Sequence, residues 1–149
     1  LMGHSMGGLL AQILGARGVA SGLVLLTPAC PSGINALTYS VLKSFWGILT
    51  KWGFWRNAHR ISFDASVYAM LHLLPEKDQK AAYERLVYES GRAAAEIGFW
   101  YLDPKGAAKV DDTKVTCPVL VIAGAHDRIT QHQSGIPALP CKRLNSRFT

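Results

Sequence analysis

The sequence predicts an α/β fold, with parallel strands flanked by helices and an all-helical segment inserted between two of the strands. A Gly-x-Ser-x-Gly motif at residues 3–7 runs directly into a stripe of helical period. Two continuous apolar runs, at 22–27 and 117–123, have the length and composition of buried parallel strands. Between them, residues 38–102 carry helical spacing.

Residues 6–17 (MGGLLAQILGAR) open the pattern. Leu9, Leu10, Ile13 and Leu14 fall on one stripe, with Gln12 and Arg17 off it, and Gly18 is a plausible stop. The run 22–27 (GLVLLT) ends at Pro28 and reads as a strand buried on both faces. With no residues before the motif to form another element, this is a βαβ unit cut at its first strand. Residues 31–37 form a turn-rich linker.

An amphipathic helix is expected over 38–56, with Val41, Leu42, Phe45, Leu49 and Trp52 on its apolar face. Trp46, Trp52, Phe54 and Trp55 suit either the core of the helical segment or the wall of an acyl pocket. Asp64 could cap a second helix that Pro75 ends. One or two more helices fill 76–102, with a break at Gly91 and a stop at Asp103-Pro104. Lys77-Asp78-Gln79-Lys80 is a solvated helix face. The second strand, 117–123 (CPVLVIA), tolerates Pro118 at its start and ends in the polar loop Gly124-Ala125-His126-Asp127-Arg128.

Composition narrows the function classes. The 149 residues are 49% apolar and 17% charged, enough for one sizeable core and too apolar for a disordered chain. No uncharged apolar run of about 18 residues exists, so no membrane-spanning helix is expected. The net charge of +6 looks like a nucleic-acid signal until it is divided. Residues 1–130 hold 13 Lys and Arg against 10 Asp and Glu, an ordinary surface balance, and no nucleic-acid partner is expected. The remaining surplus is Lys142, Arg143 and Arg147. Cys30, Cys117 and Cys141 have neither disulfide-framework nor zinc spacing, so no metal site is expected.

Both ends are unusual. Leu1 rather than Met opens the sequence, so a clipped or partial chain is expected and a lost leader is not excluded. Residues 131–149 keep no period of 2 or 3.6 and read as an irregular tail.

The chemistry lies in Gly3-His4-Ser5-Met6-Gly7. A nucleophile on a sharp strand-to-helix turn needs small flanking residues, because its backbone is strained and its neighbours approach closely. Gly3 and Gly7 would supply that space, and Gly8 would let the helix approach the sheet. Such a turn pushes the Ser5 hydroxyl out at the carboxyl edge of the sheet, and the Met6 N–H is the natural first donor to an oxyanion.

Over residues 1–130 the chain resembles the α/β-hydrolase family. The resemblance rests on GHSMGG at 3–8, VLLT at 24–27, the helical insertion and PVLVIAGAHDRIT at 118–130. It implies a fragment of an α/β-hydrolase, with Ser5 as nucleophile, Asp127 as catalytic acid and Met6 as oxyanion donor. It divides the chain into a core part at 1–30, a helical cap or lid at 31–108, a second core part at 109–130 and the tail at 131–149. Residues 89–104 are similar to cap helices of bacterial esterase-like members. The family's histidine follows a last strand that this chain does not contain, and its second oxyanion donor would lie before Leu1. His132, in the tail, is a poor substitute for that histidine. His4 is expected to pack under the oxyanion site, and His59, His72 and His126 to be surface or cap residues.

The resemblance therefore implies a serine hydrolase acting on an ester, lactone or similar small acyl substrate without a cofactor, its location favoured as cytoplasmic and its oligomeric state unread. The alternatives are a non-catalytic binder of small apolar ligands and a haloperoxidase-like or acyl-transfer variant. The 149 residues made alone are expected to be poorly soluble or molten and inactive. The first helix should start near the Asp127 loop, at one edge of a two-strand parallel pair.

Overall fold

The computed structural model describes residues 1–35 and 37–130. The reading of 131–149 as an irregular tail, with His132 and Cys141 inside it, lies outside the described residues.

Three parallel strands form the sheet: β1 (Met2–His4), β2 (Leu23–Leu26) and β5 (Val119–Ile122), in the order β1-β2-β5. The expected two-strand pair is thus corrected to three strands, because Met2–His4 does form a strand ahead of Ser5. Leu1 N–H donates to Gly22 O at 2.7 Å and Val24 N–H to Leu1 O at 2.8 Å, which sets the register. His4, Leu26 and Ile122 end their strands abreast.

Helix α1 (Met6–Ala16) covers one face of the sheet, and Gly18, at φ +73°, follows its end. Its buried residues are Gly8, Leu9, Ala11, Gln12 and Gly15, so of the predicted Leu9-Leu10-Ile13-Leu14 stripe Leu9 is buried, Ile13 half-buried and the other two exposed. Leu10 is 53% exposed. Size accounts for the rotation. Gly8, Ala11 and Gly15 make a flat strip that lets the helix close on the sheet. A Cβ on Gly15 would sit 2.8 Å from Leu23 Cδ1. Buried Gln12 donates from Nε2 to Gly8 O at 3.3 Å, which satisfies one of its amide donors.

Ala11, Leu23, Leu25, Val115 and Val119 form the core between helix and sheet. Leu23 and Leu25 are 2% and 1% exposed, each contributing about 2–3 kcal/mol of apolar burial. The opposite face is only half covered among the described residues, so the two-sided burial expected of β2 is corrected to one side. On β5, Val121 is exposed although it shares the face of Val119, because α1 packs over β1 and β2.

The segment between β2 and β5 is mostly helical. Helix α2 (Tyr39–Leu49) starts at Thr38, whose side chain accepts the Val41 N–H. It stops seven residues short of the predicted end, and Gly53, at φ +74°, leads into a 3-10 turn at Phe54–Arg56. Its buried residues are Ser40 and Ser44, with Val41, Phe45 and Ile48 half-buried beside them. Of the predicted apolar face, Val41, Phe45 and Leu49 are half-buried while Leu42 and Trp52 are exposed, and small residues take the closest approach. Ser62, not Asp64, caps α3 (Phe63–Ser66), which continues as a π turn at Val67–Leu71. Helices α4 (Glu76–Glu84) and α5 (Gly91–Gly98) follow, and Gly91 opens α5 rather than merely breaking a longer helix.

The segment is not all helix as expected. The two-residue strands β3 (Ala58–His59) and β4 (Glu89–Ser90) pair antiparallel inside it. Its aromatics differ in burial: Phe54 is buried, while Trp46 and Trp52 are 64% and 95% exposed. Trp55 meets both Phe54 and Trp52 edge to face, with ring centres 5.5 and 5.7 Å apart, so three of the four aromatics singled out in the sequence cluster.

Candidate active site

The turn after β1 is the most constrained point of the sheet edge. Ser5 has φ 51° and ψ −120°, a backbone region that costs a non-glycine residue about 1–3 kcal/mol. Four backbone hydrogen bonds hold it there. Ser5 N–H donates to Leu26 O at 3.1 Å, and Ser5 O accepts from Gly8 N at 2.9 Å, Leu9 N at 3.3 Å and Ala29 N at 2.8 Å. The strain is thus offset by hydrogen bonds that tie the elbow to both α1 and β2.

Space at the elbow comes from Gly3 and Gly8. A Cβ on Gly3 would lie 2.1 Å from Gly7 O, and one on Gly8 would lie 2.7 Å from Pro28 Cβ. Nothing stands within 4 Å of a Cβ at Gly7, so the spacing role expected of that residue is corrected. Ser5 also occupies the N-cap of α1, where a serine hydroxyl ordinarily accepts a first-turn N–H. Here it makes no such bond. Met6 opens the helix, where backbone N–H groups have no intrahelical acceptor.

Asp127 stands on the loop after β5 and is half-buried. Its N–H donates to Gly124 O at 3.2 Å. Its Oδ1 accepts from Ile129 N at 2.8 Å and Thr130 N at 2.9 Å, and Oδ2 accepts from Thr130 Oγ1 at 2.5 Å. A carboxylate offers about four acceptor positions, so three bonds aim it and leave room for one more donor.

The register brings Ser5 and Asp127 to one edge of the sheet. Ser5 directly follows His4 on β1, and Asp127 lies five residues past Ile122 on β5. One strand, β2, separates the two, so the ends of β1 and β5 are about 10 Å apart. Among the described residues no histidine is hydrogen-bonded to Ser5 or Asp127. His4 is exposed, contrary to the packing role expected of it. His126 is exposed on the acid loop itself. His59 and His72 lie in the helical segment, His59 Nε2 within 2.8 Å of Phe54 O.

Two residues escaped the sequence reading. Thr27 has φ 38°, and its N–H donates to Ile122 O at 2.7 Å, between the two loops. No sequence signal marks it, since a residue before proline is steered toward extended backbone. Arg128 reaches from the acid loop to Tyr68 in the helical segment, a contact 60 residues apart in sequence.

Clefts among the described residues lie away from the sheet edge. One is lined by Trp55, Arg56, Asn57, Ala58, Ser90 and Arg92. The other runs between Ser32-Gly33 and Trp100-Tyr101. Neither of these two clefts is lined by Ser5 or Asp127. Among the described residues no group of three or more His, Cys, Asp or Glu could hold a metal ion. Burial pushes the Cys30 thiol above its ordinary pKa, which leaves it a poor nucleophile. Among the described residues no helix is long and apolar enough to cross a membrane.

A strained serine between a parallel strand and the helix packed on its sheet is the arrangement of an α/β-hydrolase. Comparison with known families agrees: the model described as serine aminopeptidase, S33, matches residues 1–146, and the chain belongs to that α/β-hydrolase family. It is therefore a hydrolase of that superfamily. No curated protein matches the chain.

Proposed function

We propose that this chain carries the nucleophile and the acid of a serine hydrolase that cleaves carboxylic esters, lactones or similar acyl substrates. The observation that carries the reading is Ser5: a non-glycine residue held at φ 51° by four backbone hydrogen bonds, with a hydroxyl that does not cap its own helix. A serine kept for structure alone would relax to an ordinary cap.

The chemistry follows from the placement. A base takes the proton from Ser5 Oγ as that oxygen attacks the substrate carbonyl carbon. The carbonyl oxygen takes up the electron pair, and the Met6 N–H at the start of α1 stabilises the charge. Collapse expels the alcohol, which receives the proton from the base, and leaves an acyl group on Ser5. Water then releases the acid by the same route. The base is a histidine outside the described residues. Asp127 would accept its other N–H on the free side of the carboxylate and hold its tautomer.

The family's description favours a second reading, removal of an N-terminal residue from a peptide. The mechanism is unchanged, but an amide is the harder leaving group. A panel of p-nitrophenyl esters and aminoacyl anilides, run on the intact protein and on Ser5→Ala, separates the two. Turnover of esters with little on anilides supports the proposal. Efficient anilide cleavage moves it to the peptidase reading. Turnover that persists in Ser5→Ala ends both.

A further inference from the structure

We propose that Arg128 is a positioning residue, one that ties the acid loop to the helical segment and so aims Asp127. The inference rests on the hydrolase reading above and goes beyond it, because it couples the site to a segment that supplies neither nucleophile nor acid.

Arg128 Nη1 donates to Tyr68 O at 2.9 Å, and its guanidinium carbon lies 4.7 Å from the centre of the Tyr68 ring. The fork and the ring face act together, as a planar guanidinium allows and an ammonium does less well. Tyr68 is itself held. Lys43 Nζ lies 4.1 Å from the same ring, and Tyr68 Oη is 3.3 Å from Ser40 Oγ. It sits on the π turn Val67–Leu71, next to buried Ala69 and two residues past fully buried Ser66. The anchor point is therefore fixed to α2 and α3 rather than loose on the surface.

On the other side, residues 127–130 behave as one unit. The Asp127 carboxylate binds the N–H groups of Ile129 and Thr130 and the Thr130 hydroxyl. Arg128 is the residue enclosed by that ring of bonds. A pull on its side chain moves the carboxylate with it. Displacing Tyr68 would turn Asp127 away from the direction in which it meets an imidazole, so the position of the helical segment sets the efficiency of the acid.

The test uses the intact protein with Arg128→Ala and Arg128→Lys. Active serine is counted by burst titration, and the exchange of the Ile129 and Thr130 amide hydrogens is followed separately. Arg128→Ala should lower kcat per titrated serine about 10-fold with KM within about twofold, a loss realised in the transition state alone. The two amides should exchange about 10-fold faster as the loop loosens. Arg128→Lys should recover part of both. A kcat per titrated serine within about twofold of the parent would overturn the proposal. So would a loss confined to the number of titratable serines, which is what a purely structural role would give. If the intact protein shows no titratable serine, the hydrolase reading fails instead. Exchange then judges the anchor alone: faster exchange in Arg128→Ala supports it, and unchanged exchange overturns it.

Discussion

The sheet with its helix and the helical segment solve the same packing problem differently. In the sheet, Leu23 and Leu25 are buried almost completely, and backbone pairing fixes where each side chain lies. In the helical segment serines at 40, 44 and 66 and Ala69 are buried along with Phe54 and Leu71, while large aromatics such as Tyr39, Trp46 and Trp52 face outward. The first region is held by apolar burial and a shared hydrogen-bond ladder. The second is held by local caps, small-residue seams and ring contacts such as Phe54 with Trp55 and Phe99. Precise chemistry belongs on the first kind of scaffold, because a strained residue such as Ser5 persists only where its surroundings over-determine it. The second kind is suited to docking against that edge, as Arg128 and Tyr68 do.

The largest expected break in this contrast is at the elbow. Ser5→Ala should lower turnover by on the order of 10⁴–10⁶ while leaving the melting temperature nearly unchanged, measured by ester hydrolysis and calorimetry. Asp127→Asn comes next, with kcat lower by on the order of 10²–10⁴. It should also lower stability by about 1–2 kcal/mol in denaturant titration, since a neutral amide caps Ile129 and Thr130 more weakly.

A matched pair of glycines sharpens the comparison. A Cβ at Gly3 would meet Gly7 O at 2.1 Å, and one at Gly91 would meet Phe54 O at 2.0 Å. Both alanine variants should lose about 2–4 kcal/mol, because backbone must move in each. Gly3→Ala should also lose activity per folded molecule, whereas Gly91→Ala, in the helical segment, should keep most of it. Equal activity losses would erase the distinction between the regions.

Leu25→Ala should cost about 2–5 kcal/mol through the cavity it leaves, and Trp52→Ala less than about 0.5 kcal/mol, compared by denaturant midpoint. The smallest effect is electrostatic. Backbone N–H groups of Ala107 and Lys105 hold the Asp103 carboxyl below the usual carboxylate range. A lowered folded pKa stabilises the fold above the unfolded value, and that contribution is lost as pH falls through the folded one. The stability gap between the parent and Asp103→Asn should therefore close below about pH 4.

Much of this was legible in the sequence where period and turn chemistry agree. The strand signal at 117–123, of which Val119–Ile122 is strand, and the motif at 3–7 are both visible, because a buried run bounded by turn residues and a glycine-flanked serine before a helical stripe are strong local signals. Helix rotation was not. The stripe of Leu9, Leu10, Ile13 and Leu14 is the most apolar face of α1, yet Gly8, Ala11 and Gly15 face the sheet, because proximity is set by side-chain size as well as by hydropathy. Strand β1 was missed because three residues are too few to show a period. The Arg128–Tyr68 contact joins positions 60 apart, and no local pattern encodes it.

Fluorophosphonate labelling of the intact protein, followed by peptide mapping, tests the central claim most directly. A single adduct on the Ser5 hydroxyl, absent from Ser5→Ala, is the expected result. An unlabelled Ser5 in the folded protein, or an adduct that persists elsewhere in Ser5→Ala together with full turnover, would contradict it.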